Sequence, residues 1–331
     1  MSRNYYTPVI SDLGMHYYHT PGFLTQGRAI FCKPYSGNDG EDGFVPERAV
    51  KTLTRALAQA TANQNDTVFL FAESNTAANT TDYQSTNLDW SKDLVHLVGV
   101  NSGPPMSNRS RVATISTWTA ADDLFTLSAD GCIIYNIALF SGVNDAHPTG
   151  CMEVTGSRNV LKGCHIAGIG HATNDIAGAY SLKINGAEEL TVANCRIGLN
   201  TVDAGTAANS EILFDGSAKN IFFDDCHIYR RIEHATNHPL VKLADATAID
   251  EIVEFADCRF ISTSTNYAYS NASAFKLAAD LTQGIILITG GRTLLYNGTT
   301  AGKWDVDDRD KIKVMLGPTP DADTAGIARA V

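Results

Sequence analysis

A chain of 331 residues, 44% hydrophobic and 18% charged, is long enough for one large buried core or two modest ones. A formal net charge of -11 argues against a general binder of nucleic acid or anionic membranes. Seven cysteines with no CxxC pair suggest neither a disulfide framework nor a zinc site.

Residues 1–36 are read as an N-terminal arm. Their opening, MSRNYYTPVI, has no basic stretch followed by an apolar core, so no secretory signal is expected. No apolar window of about 18 residues predicts a membrane helix. The arm carries Tyr5, Tyr6, Tyr17, Tyr18 and Tyr35 with Phe23 and Phe31. Solvated tails are poor in aromatic residues, so these rings are expected to lie on the chain's own body or on another subunit.

Residues 37–65 are read as a loop and a helix. The loop GNDGEDG (Gly37–Gly43) lacks the ligand spacing of an EF-hand, which favours a turn over a calcium site. In Pro46–Ala60, Val50, Leu53, Leu57 and Ala60 fall at helical spacing while Lys51 and Arg55 turn away. The helix therefore has an apolar face to lay over the end of the body that follows.

Residues 66–300 repeat. The phrases GCHIAG, NCRIGL, DCHIYR and DCRFIS place Cys164, Cys195, Cys226 and Cys258 at steps of 31, 31 and 32 residues. The residue before each cysteine is Gly163, Asn194, Asp225 or Asp257, all types that tolerate a left-handed backbone. The same slot recurs at Gly99, Asn136 and Gly290. Apolar alternation on both sides of the slot predicts two short strands meeting at a corner. A third strand precedes them at Val68–Leu70, Phe125–Leu127, Met152–Val154, Leu182–Ile184, Ile212–Phe214, Val241–Leu243 and Phe275–Leu277. Three strands in a period near 30 predict an all-β fold, a right-handed single-stranded parallel β-helix of about seven rungs with an N-terminal capping helix and extended terminal arms. The cysteines are then small interior hydrophobes, not disulfides. Residues 301–331 are a C-terminal segment and tail of small residues.

Outward residues of this β-helix form columns. The first strands present Thr126, Glu153, Lys183, Leu213, Lys242 and Lys276, with no acid pair for glycoside hydrolysis. The second strands present Ile133, Val160, Phe222 and Leu287 among His96, Thr191 and Glu254. An apolar outer face predicts contact with another subunit. The third strands present Ala138, His165, Arg196, His227, Arg259 and Arg292. This basic stripe is read either as a site for carboxylates or, preferably, as a solvated face whose arginines pair with loop acids. Asp224, Asp225 and Asp257 are the best acidic cluster, but two of them occupy the bend slot, which favours a turn role. HATND (His171–Asp175) and HATNH (His234–His238) are read as recurring turns. No catalytic residue, metal ligand or cofactor is assigned.

The run GNDGEDGFVPERAVKTLTRALAQA followed by DTVFLF resembles the opening of pectate-lyase-like right-handed β-helix proteins. It matches their G-x-D-G-x-x-G loop at Gly37, Asp39, Gly40 and Gly43, and their helix at Pro46, Ala49, Lys51, Thr52, Leu53, Ala56 and Leu57. The resemblance spans roughly residues 31–292 and implies the fold more than the function. Together with the tyrosine-rich arm, it looks most like a phage virion protein. That implies a non-enzymatic capsid decoration (cement) or tail component, made in the host cytoplasm and assembled into the virion. The expected partners are two further copies in a homotrimer and other virion proteins such as the major capsid protein. The alternative is a tailspike-like β-helix that binds or depolymerises polysaccharide as a lyase or glycoside hydrolase.

Overall fold

The computed structural model describes residues 27–74, 76, 80–100, 108–146, 149–204, 206, 209–232, 238–264, 274–277 and 281–294. It also describes the backbone of five outlying strands. Four of these pair antiparallel in two hairpins, Ser11–Asp12 with Met15–His16 and Tyr18–Thr20 with Phe23–Thr25. Tyr5, Tyr6 and Tyr17 lie outside the described residues, and of Tyr18 only the backbone is described.

The body is an all-β right-handed parallel β-helix with three sheets of seven, ten and eight strands. From Thr67 to Leu294 the chain visits the second, third and first sheets in that order on each turn. Each strand pairs with the one a turn later, so like residues stack about 4.8 Å apart. The rung count is close to the seven expected. Six of the seven expected first strands, from Phe125–Leu127 to Phe275–Leu277, stand in the first sheet.

The bend slot holds its predicted geometry. Asn136, Gly163, Asn194, Asp225, Asp257 and Gly290 have φ of 60°, 63°, 54°, 44°, 50° and 65°. Asparagine, aspartate and glycine bear this left-handed backbone at least cost. Inside, the four repeated cysteines form one buried file, and all seven cysteines are free thiols. Cys164 N–H even donates to Cys195 Sγ at 3.3 Å, one rung on. Phe223 stacks on Phe255 at 4.5 Å and 13°. Such stacks add about 0.5–1.5 kcal/mol beyond the area they bury.

The first turn departs from the expected pattern. Val68–Leu70 belongs not to the first sheet but to the second, within Thr67–Phe71. The third and first strands of that turn are Thr81–Gln84 and Leu88–Trp90. Gly99 is not a bend but an interior residue of strand His96–Val100. Glycine is needed there because a Cβ would meet the Asn136 carbonyl oxygen at 2.0 Å. The third strand of the Gly99 turn is Arg111–Thr114, displaced by an insertion. Period-two alternation marks a strand on any face alike, so it cannot tell one sheet from another.

Both ends of the body extend past the expected boundaries. Ala29–Cys32, from the expected arm, pairs with Thr67–Phe71. Ile312–Met315, from the expected tail, pairs with Ile285–Thr289. The cap is shorter than predicted: a 3-10 turn at Pro46–Arg48, then a helix at Leu53–Gln59. Val50 between them is held as strand, its N–H donating to the Phe31 carbonyl at 2.9 Å. Thr52 caps the helix by accepting from Arg55 N–H. Leu53, Ala56 and Leu57 seal the core.

Candidate functional site

From Ala138 onward each third-sheet strand begins two residues after a bend, so its first side chain points outward. The register places Arg111, Ala138, His165, Arg196, His227, Arg259 and Arg292 in one column. All five basic residues expected there are brought together. Arg111 joins them, hidden in the sequence because no bend residue precedes it. Two residues on, a second outward column holds Tyr83, Ala113, Phe140, Ala167, Gly198, Tyr229, Ile261 and Leu294. The face is therefore basic and partly aromatic. Tyr83 and Leu294 are 46% and 62% exposed.

Contacts across the two columns fix some of these side chains. The Arg111 guanidinium lies 4.4 Å from the Phe140 ring centroid. His165 Nε2 lies 3.1 Å from the Gly198 carbonyl oxygen and 3.2 Å from the Tyr229 hydroxyl. Burial lowers the His165 pKa, opposed by its bond to the Gly198 carbonyl and reinforced by Arg111 and Arg196. Burial likewise lowers Arg196, with Arg259 adding to it. Among the described residues, no carboxylate lies within ion-pair distance of Arg111, Arg196, Arg259 or Arg292. The expected pairing with loop acids is not formed. Stacked like charges repel, so this ladder carries a standing excess of positive charge.

The second sheet's outward column runs Ile133, Val160, Thr191, Phe222, Glu254 and Leu287, each half-buried. The face is most apolar nearer the cap, where Phe31, Phe69, Phe71, Val98, Val100 and Tyr135 cluster. Phe69 and Val100 are only 1% exposed although they point away from the core.

The first sheet's column begins with Asp89, which the sequence reading missed, ahead of Thr126, Glu153, Lys183, Leu213 and Lys242. Lys183 Nζ joins Glu153 at 3.2 Å and Asp215 at 3.4 Å. Asn185 donates to Glu153 at 3.0 Å. Above them Asp123 is buried, with the Tyr180 hydroxyl 2.7 and 2.8 Å from its two oxygens. Burial pushes Asp123 up to about 7.

Other acids are committed to structure. Asp225 and Asp257 are bends. Asp39, in the GNDGEDG loop, accepts from Lys51 N–H, Thr52 N–H and the Thr52 hydroxyl at 2.7, 2.9 and 3.0 Å. It thereby anchors the cap. His171 accepts from Thr173 N–H and starts a short 3-10 turn. Residues 234–237 lie outside the described residues, but His238 is buried with Glu211 and Arg230, all 0% exposed. Glu211 also accepts from Ser181, and Arg230 donates to the Gly168 and Ile169 carbonyls. Burial alone would raise Glu211; Arg230 and His238 outweigh it and hold the carboxyl at about 2. No motif announced this cluster. Its one sequence signal is Glu211 standing one residue ahead of the apolar strand core Ile212–Phe214. Among the described residues, no group of three or more His, Cys, Asp or Glu is arranged to hold a metal ion.

No family model and no curated protein matches the chain. Solved structures do. Pectate lyase Pel9A aligns over 90% of this chain and 78% of its own, at 13% identity and a TM-score of 0.56. The deglycosylated pectin methylesterase from Aspergillus niger aligns over 90% and 93%, at 13% identity and a TM-score of 0.47. ORF18 of Geobacillus virus E2 aligns over 95% and 70%, at 10% identity and a TM-score of 0.39. Strand order, bend geometry and the Pel9A likeness agree that this chain has the pectate-lyase-like parallel β-helix fold.

Proposed function

We propose that the chain is a structural, non-catalytic virion protein of a bacteriophage, a capsid decoration or tail component. It associates as a homotrimer and attaches to neighbouring virion proteins through its terminal arms. The observation that carries this reading is the division of charge. The acids strongest in the sequence, Asp225 and Asp257, serve as bends, while among the described residues Arg111, Arg196, Arg259 and Arg292 on an outer face have no carboxylate within ion-pair distance. Such a face suits docking better than proton transfer, which needs an acid or base poised at a reacting atom.

One observation favours the alternative, a β-helix that binds or cleaves polysaccharide. Glu153 and Asp215 both reach Lys183, which keeps their carboxyl groups within the separation of about 9.5 Å or less that glycosidases use. Incubation with acidic bacterial polysaccharides separates the two readings. The structural reading predicts no oligosaccharide release. Release that disappears in Glu153→Gln or Asp215→Asn would replace it with the alternative.

A further inference from the structure

On the outer face of the second sheet, exposure changes sharply along the stack. Ala29, Thr67 and His96 stand in one outward column and are 5%, 0% and 3% exposed. Ile133, Val160, Thr191 and Phe222 continue that column and are half-buried. In the adjacent column Phe69 and Val98 are 1% and 3% exposed, while Tyr135, Lys162 and Ala193 beyond them are half-buried. Phe69 and Phe222 are the same residue type on the same face of one sheet. Phe31 and Phe71 neighbour the Phe69 ring, but they belong to its own layer. Something therefore lies over the cap end and stops before Ile133. Its footprint spans the strands Ala29–Cys32, Thr67–Phe71 and His96–Val100, about 9.6 Å along the stack.

We propose that the hairpin of residues 18–25, from the same chain, packs face to face on this patch as a second layer. The inference goes beyond the reading above and holds whatever the chain attaches to. Composition, reach and size select this occupant. The segments that adjoin the patch further along the chain, NSGPPMS at 101–107 and NTAAN at 75–79, hold no aromatic residue, whereas residues 1–26 hold four tyrosines and Phe23. The C-terminal tail starts from Ile312–Met315, at the opposite end of the ten-stranded sheet. Thr25 is four residues before Ala29, a reach of up to about 13 Å, which crosses the roughly 10 Å between packed sheets. The hairpin's two strands are three residues each, and strands about 4.8 Å apart make a ribbon of the footprint's width. Its register sets Tyr18 opposite Thr25 and Thr20 opposite Phe23, so alternation places Tyr18 and Phe23 on one face. A two-stranded hairpin is marginal alone in water and needs such a surface. The arm is then a fixed limb at its root, and the half-buried Ile133, Val160 and Phe222 remain open to a neighbour.

The test is hydroxyl-radical labelling of the full chain, read by mass spectrometry at single phenylalanines. Phe69 should be as protected as the core residue Phe255, which is 0% exposed. It should stay protected on dilution until the chain sediments as a monomer. In Tyr18→Ser with Phe23→Ser, Phe69 labelling should rise to that of half-buried Phe222 while Phe255 stays protected, which shows the body folded. Phe23→Ser alone replaces a double variant that is not. Phe69 labelled like Phe222 in the unaltered chain, or still protected in the folded variant, overturns the inference. Protection lost on dilution overturns it too, and assigns the cover to a second copy.

Discussion

Asp225 and Asp257 hold φ of 44° and 50°, where other turns use asparagine or glycine. Their carboxylates were candidates for chemistry, and their backbone explains them better. Asp225→Asn should therefore leave the urea midpoint nearly unchanged, while Asp225→Ala should cost about 1 kcal/mol. The buried trio of Glu211, Arg230 and His238 obeys a different rule. A buried ion pair adds little net stability, but removing one member strands a charge. Glu211→Gln leaves Arg230 unmatched at 0% exposure and should cost about 3–5 kcal/mol by urea denaturation. Bends and interior cysteines were legible because they recur at fixed intervals. The trio was not, because Arg230 and His238 stand 19 and 27 residues after Glu211, short of the 31 or 32 at which the cysteines recur, and join it only after folding.

At the scale of strands and helices, alternation gave strand positions well and sheet membership poorly. From Asn136 to Gly290 each bend residue marks the passage from second to third sheet. Before it, the insertion after Val100 and the extra strand Ala29–Cys32 break the interval. The helix was misjudged at Val50, where pairing with Cys32 outweighed helical periodicity. Strand packing also sets a pH response. Asp123 on strand Asp123–Leu127 is enclosed by Tyr180 from strand Tyr180–Asn185, and burial raises its pKa to about 7. Asp82, buried beside the capping helix, is raised by burial to about 6. A raised folded-state pKa gives stability that is complete below the unfolded value, about 3.9, and lost as pH climbs through 6 and 7. Glu211, held at about 2, acts oppositely: its contribution is complete above about 4.3 and lost as pH falls towards 2. Thermal melts should thus peak near pH 4–5 and decline on both sides. Asp123→Asn should flatten the decline between pH 5 and 7.5. An unchanged slope would mean Asp123 does not titrate there.

For the whole molecule, a β-helix has three long faces, and their different chemistry separates structure from function. The first sheet neutralises its charges internally through Lys183, the second turns apolar near the cap, and on the third, among the described residues, Arg111, Arg196, Arg259 and Arg292 have no carboxylate within ion-pair distance. The fold followed from repetition; the partners do not, because a repeat specifies what stacks inside and leaves the outside free. The body begins by Gly27, whose N–H bonds to the Asn65 carbonyl at 3.1 Å. Removing residues 1–26 should therefore leave the β-helix folded while detaching it from neighbours. Electron microscopy of assembled phage particles, carrying either the full chain or the chain starting at Gly27, tests the structural role most directly. The account predicts regularly placed density with the full chain and none with the shortened one. Particles bearing no such density with the full chain would contradict it.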